Sequence, residues 1–361
     1  MQVYRFIRSV AVGFFVLLGW CATGAIAAPS YRLIELPFIG PPDDPFNDTS
    51  ATAINRVGDT AVNFYGAFGS SALHCNRLSC VTVPPLYVPH WPAVSAGGIN
   101  DAGLVLATSA DLSLSTHALV FDGTTNTRIY GLPDDLCGGC FNDSYGRGIN
   151  NRGQVVGSAM GSDGRERAFI WQAGNLQELG TLGGSRSTGT AINDHGDVVG
   201  YASTASGATH AFVYRRGRMT DLGTLGADWA EAYGINGARQ VVGCSGLPDG
   251  QTRPFTYSNG QMSALPSLGG PTGCATGINQ GGFIVGTATT PAQEEHGFVH
   301  DGARTWDLND RISASARAKW LIIGASAINH RGMIAATGMN RQNGVVRALL
   351  LWPRPESTTQ Q

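Results

Sequence analysis

Six cysteines follow residue 28: Cys75, Cys80, Cys137, Cys140, Cys244 and Cys274. Their even number suits a disulfide framework better than free thiols. Cys137-Gly138-Gly139-Cys140 has the spacing of a dithiol redox pair, but no strand–helix–strand pattern surrounds it. A zinc site would need a second ligand pair, and none recurs. We read all six as structural. Cys75 and Cys80 straddle a hairpin turn, Cys244 ends a second strand where Cys274 precedes a first, and Cys137–Cys140 is what those two pairings leave.

Two acidic pairs, Asp43-Asp44 and Asp134-Asp135, have the chemistry to hold a cation or a basic group. Aromatic rings are spaced through the irregular stretches as Phe46, Trp91, Phe141, Tyr145, Trp229 and Trp320. Exposed rings suit a sugar face or a protein partner. The plainer alternative is that the rings pack their own loops and the acids are solvated. Trp91, Asp134, Asp135, Phe141, Tyr145, Trp229 and Trp320 are the ligand-binding candidates. No catalytic residue is assigned. Gly243-Cys244-Ser245-Gly246 lacks nucleophile-elbow spacing, and neither His-Glu-x-x-His nor a phosphate-cradling glycine loop occurs. We expect no cofactor and no bound metal.

What must position these residues is a repeat. A small-residue-Ile-Asn triplet recurs with its isoleucine at Ile54, Ile99, Ile149, Ile192, Ile235, Ile278 and Ile328, at intervals of 45, 50, 43, 43, 43 and 50 residues. Glycine lies three residues after the Asn in six copies, which is the pattern of a type I turn. The fifth copy has Gly237 directly after Asn236 and Arg239 at the fourth place, so its turn is expected to change type. Each turn leads to a strand such as Gln154-Val155-Val156-Gly157. A third strand such as His210-Ala211-Phe212-Val213-Tyr214 and a fourth such as Met219-Thr220-Asp221-Leu222-Gly223 follow. Four short strands per unit are blade-like.

The ends bear on closure. The last unit stops at its third strand, Arg347 to Trp352, while Tyr31 to Leu36 reads as a fourth strand with no unit of its own. Supplying the missing strand from the N-terminus would pin a ring shut and hide its edges. The expected fold is therefore all-β, a seven-bladed β-propeller over residues 29–353, with a short disordered tail at 354–361. The variable connections, fourth-to-first and second-to-third strand, would share one face. Their long insertions are 41–50, 134–145 and 309–321.

Before that comes a leader. Arg5 and Arg8 precede an apolar run from Val10 to Cys21, and Ala25-Ile26-Ala27 offers small residues for cleavage. Residues 1–28 are read as a signal peptide, with the mature protein secreted or periplasmic and free of a membrane span. A formal net charge of −2 leaves no basic footprint for nucleic acid. Glycine, at 50 of 361 residues, is about twice its ordinary share, which fits many turns.

The His-Ala-Phe strand, the run Asp221 to Gly226 and the run Ile192 to Gly200 resemble the bacterial extracellular HAF repeat family, most sharply from about 148 to 286. The resemblance implies export and a propeller-like repeat and supplies no catalytic residues. The functional expectation is a monomeric binding module that uses its variable-loop face, with carbohydrate or another extracellular protein as partner. The alternatives are a glycan- or polymer-degrading lyase or hydrolase on the same scaffold, and a structural cell-surface repeat protein.

Overall fold

The computed structural model describes residues 28–37, 47–67, 69–86, 93–112, 115–131, 143–161 and 163–355. The leader, Asp43, Asp44, Phe46, Trp91, Asp134, Asp135, Cys137, Cys140, Phe141 and the end of the tail lie outside these residues.

Each Ile-Asn triplet ends an innermost strand, and the Asn builds the turn that follows. Asn150 Oδ1 accepts from the amides of Arg152 and Gln154, both at 3.0 Å, while its carbonyl accepts from Gly153 at 3.1 Å. Gly153 takes φ 71°, a region where a side chain is strained and glycine is not. The Asn side chain has a second task. In six of the seven blades its Nδ2 donates to the backbone carbonyl of the Asn in the next blade, as in Asn150 to Asn193 at 2.9 Å and Asn193 to Asn236 at 3.1 Å, while Asn55 Nδ2 donates to Asp59 Oδ2. Aspartate could cap the turn but has no proton to give, whereas asparagine both caps it and donates across the interface.

The fifth copy corrects the expectation of a different turn. Arg239 adopts φ 64°, its amide donates to the Asn236 carbonyl at 3.0 Å, and Asn236 Oδ1 accepts from Gln240. The turn is the same one. Arg239 occupies the glycine position, with its Nε on Asp197 Oδ2 of the previous blade at 2.8 Å.

The strands form seven antiparallel four-stranded sheets, arranged as the blades of a propeller. The innermost strands are Asp48–Ile54, Val94–Ile99, Ser144–Ile149, Gly183–Ile192, Ala230–Ile235, Gly273–Ile278 and Trp320–Ile328, which number the blades 1 to 7. Blade 7 takes its outermost strand, Tyr31–Glu35, from the N-terminal side, with Tyr31 opposite Pro353 and Glu35 opposite Leu349. Blade 7 also bonds to blade 1, through Ala348 N to Thr49 Oγ1 at 2.8 Å and Asn329 Nδ2 to the Asn55 carbonyl at 2.9 Å. The ring is closed.

The core lies between blades. Phe169, Phe212, Phe255 and Phe298, the Phe of the His/Arg-Ala-Phe strands or its equivalent, are fully buried. Burying each such side chain is worth about 1.5–3 kcal/mol. The residue two before that Phe is scaffold. Arg167 reaches the Ser185 carbonyl of the next blade, Arg253 the Pro271 carbonyl, and Arg347 the Asn47 carbonyl. His210 and His296 instead pair with Asp221 and Asp307 of their own blades. Two expected disulfides are present. Cys75–Cys80 crosses a hairpin and Cys244–Cys274 ties blade 5 to blade 6. No helix among the described residues is long and apolar enough to cross a membrane.

Candidate functional site

Every innermost strand carries a β-bulge one residue before its Ala/Gly-Ile-Asn triplet. A bulge breaks the alternation of side chains and re-aims the extra residue. Here all seven bulged residues, Thr52, Gly97, Arg147, Thr190, Tyr233, Thr276 and Ser326, line the central channel.

Four of these are hydroxyl residues committed to the scaffold. Thr190 donates to the Ala232 carbonyl at 2.6 Å, Thr276 to the Ala325 carbonyl at 2.7 Å, and Ser326 to the Ala51 carbonyl, each in the next blade. Thr52 bonds within its own blade, to the Ala61 carbonyl at 3.0 Å. At Gly97 a Cβ would stand 2.6 Å from the Gly146 carbonyl oxygen, so the neighbouring blade leaves no room for one. Two blades differ: blade 3 presents a guanidinium and blade 5 a phenol.

Around them is a cavity of about 710 Å³, which includes Tyr145 and Tyr201 in its wall. It opens toward the variable-loop face, since Ala110, Thr116 and Ser70, at second-to-third strand connections, also line it. Among the described residues, Arg147 is the one Arg, Lys, Asp or Glu in that lining. Its side chain is exposed, and no described residue bonds to it. Tyr233 donates its hydroxyl to Glu231 Oε2, on the same strand. Burial, and then the Glu231 carboxylate, push the Tyr233 phenol well above its ordinary pKa, while Arg147 pulls weakly the other way. The phenol therefore keeps its proton. Gly157 and Gly243 let the second strands approach this wall, since a Cβ there would lie 1.8 Å from the Tyr145 carbonyl oxygen and 2.0 Å from that of Glu231.

The opposite mouth is different. The seven triplet isoleucines and the turn residues after them line a smaller space of about 430 Å³. Its charged groups are already paired. Arg56 meets Asp101 at 2.9 Å, and Asn151 Nδ2 donates to Asp101 and Asp194, both at 3.0 Å. This end is scaffold.

Of the ligand-binding candidates read from the sequence, Tyr145 lies in the cavity wall. Trp229 is half-buried at the entry to blade 5, where a Cβ on Gly246 would stand 2.5 Å from its Nε1. Trp320 is 3% exposed and packs with Tyr31, Leu308, Ile312 and Ile322. It is a core residue and not an exposed ring. The reason is a short helix, Ala314–Lys319, capped by the Ser313 side chain, that turns the insertion back so that Trp320 opens the innermost strand. Arg147, Tyr201, Glu231 and Tyr233 were not among the candidates. Aligning the residue before each triplet, which reads Thr, Gly, Arg, Thr, Tyr, Thr, Ser, is the signal that exposes two of them. No cluster of three or more His, Cys, Asp or Glu suited to a metal occurs among the described residues.

No protein-family model matches the sequence, and no curated protein matches it. Solved structures do. The β-propeller domain of the Trilobed protease from Pyrococcus furiosus, whose description gives an open velcro topology, aligns at TM-score 0.54 and 10% identity over 84% of this chain and 95% of that one. A YCF48 structure with a bound D1 peptide aligns at TM-score 0.49 and 10% identity over 92% and 99%. A lectin from Aleuria aurantia in complex with Fucα1-6GlcNAc aligns at TM-score 0.40 and 11% identity over 72% and 94%. At such identities the likeness is one of fold.

Proposed function

We propose that this chain is an exported HAF-type repeat protein that works as a carbohydrate-binding module through the variable-loop mouth of its channel. The observation that carries this reading is the break in symmetry at the seven bulges. Five of the positions hold Thr, Ser or Gly, and the four hydroxyls are used by the scaffold. Arg147 and Tyr233 depart from the pattern and share one cavity with Tyr145 and Tyr201. A cavity of about 710 Å³ falls within the usual range for small-ligand sites. Aromatic walls suit sugar faces. Trp91, Asp134, Asp135 and Phe141 remain candidates by their sequence position in the loops of the same face. Export is supported by the leader and by two disulfides, which persist in oxidising compartments.

The Tyr233 phenol favours binding over lyase chemistry. A phenol that holds its proton against Glu231 is a poor general base. The test is a mixed saccharide and peptide array probed with the mature protein, beside Tyr145→Ala and Tyr233→Ala variants of unchanged melting temperature. Saccharide signal lost in both variants is the expected result. Signal kept in both would move the site off the channel.

A further inference from the structure

The hydrogen-bond polarity of the cavity specifies its ligand more narrowly. The hydroxyl protons of Thr52, Thr190, Thr276 and Ser326 point into backbone carbonyls, and the proton of Tyr233 goes to Glu231. Each group then offers the channel an oxygen that can accept but has no proton to give. Five acceptor oxygens at the bulges match a ligand rich in O–H donors, which is the chemistry of a sugar ring.

Against that neutral background stands one full charge. Arg147 is a planar, permanently charged donor that fits a carboxylate with two parallel bonds. It shares the cavity wall with the phenols of Tyr145, Tyr201 and Tyr233, with no described carboxylate in the lining to neutralise it. From these two features, and resting on the carbohydrate reading above, we infer that the channel recognises an acidic sugar. A uronate residue would set its carboxylate on Arg147, its hydroxyls on the five acceptor oxygens and a ring face on Tyr145 or Tyr201. A peptide carboxylate would satisfy Arg147 alone and leave the acceptors without hydroxyl donors.

Titration calorimetry separates these. The wild-type protein and the variants Arg147→Gln and Arg147→Lys, each checked for an unchanged melting temperature, are titrated with galacturonate and glucuronate oligosaccharides. Their galactose and glucose counterparts and a peptide with a free C-terminus are titrated in parallel. We expect the uronates to bind at least about tenfold tighter than the neutral sugars, the ordinary worth of one charge-assisted contact. Arg147→Gln should erase that preference, and Arg147→Lys should keep part of it. Equal affinity for acidic and neutral sugars, or a preference that survives Arg147→Gln, would overturn the acidic-sugar inference and leave the carbohydrate reading standing. Binding of the peptide with no binding of any saccharide would overturn both.

Discussion

Asn329 and Asn55 are 274 residues apart in sequence, and the Nδ2 of the first donates to the backbone carbonyl of the second at 2.9 Å. The bond is the last of a relay that begins with Asn100 on Asn150 and crosses six of the seven blade junctions through the same atom pair, whereas Asn55 Nδ2 turns to Asp59 Oδ2 of its own blade at 3.4 Å. Asn329→Asp keeps the oxygen that caps the Arg331 and Met333 amides but removes the donor. The buried Asn55 carbonyl then keeps only its bond from the Gly58 amide, a loss of about 0.5–1.5 kcal/mol. Asn329→Ala also removes the cap and should cost more. Urea unfolding followed by circular dichroism orders the three proteins. An Asn329→Asp midpoint equal to wild type would mean that this bond adds nothing to closure.

The two disulfides should differ in worth because they close different lengths of chain. Cys244–Cys274 spans 30 residues and joins two blades, whereas Cys75–Cys80 spans 5 within one hairpin. On the chain-entropy account the first contributes about 3.6 kcal/mol and the second about 2 kcal/mol. Replacing each pair with alanines and comparing urea midpoints under oxidising conditions measures the gap. A larger loss from the Cys75/Cys80 double variant would show that native-state strain, and not loop length, dominates.

The architecture could be read from sequence because its cause is local and repeated. An Asn that must cap a turn and a Phe that must be buried leave the same mark in successive units, and the strand Tyr31–Glu35 had no unit of its own to belong to. The channel was harder to see. Arg147 and Tyr233 point inward because of a bulge, a property of strand register that alternation along one strand conceals. Trp320 was misplaced for a related reason. Whether a ring beside a loop is exposed depends on how the loop returns, and the helix Ala314–Lys319 is what returns it. Arg239 shows the limit of turn rules, since the other six turns, and its own hydrogen bonds, impose the glycine conformation on an arginine.

His300 makes stability depend on pH. Burial lowers its pKa from the ordinary 6.5, the neighbouring Asp301 opposes this, and Nδ1 sits 3.1 Å from Thr305 Oγ1. Unfolded, the imidazole takes a proton as pH falls through 6.5, whereas folded it resists until lower pH. Protonation therefore favours the unfolded chain, and this contribution is intact above 6.5 and lost as pH falls through the folded value. His300→Asn keeps a polar partner for Thr305 and does not titrate. Melting temperatures of the two proteins should run parallel above pH 7, with wild type falling faster toward pH 5. Parallel curves throughout would remove His300 from the acid sensitivity.

Arg239 occupies a position where six blades have glycine, and its φ of 64° is in the left-handed region that costs a side chain roughly 1–2 kcal/mol. Its ion pair with Asp197 at 2.8 Å is a partial offset, and Arg215 Nε lies 3.6 Å from the same carboxylate. Arg239→Gly and Arg239→Ala both remove the ion pair, but only alanine keeps the strained conformation. The difference between them isolates the backbone cost, reduced by the greater freedom of glycine in the unfolded chain. Arg239→Gly should be the more stable variant by about 1 kcal/mol. It should lie close to wild type, because a half-exposed ion pair contributes little. If the alanine variant matched the glycine variant, the fifth turn would have relaxed into the different type that its Asn-Gly sequence favours.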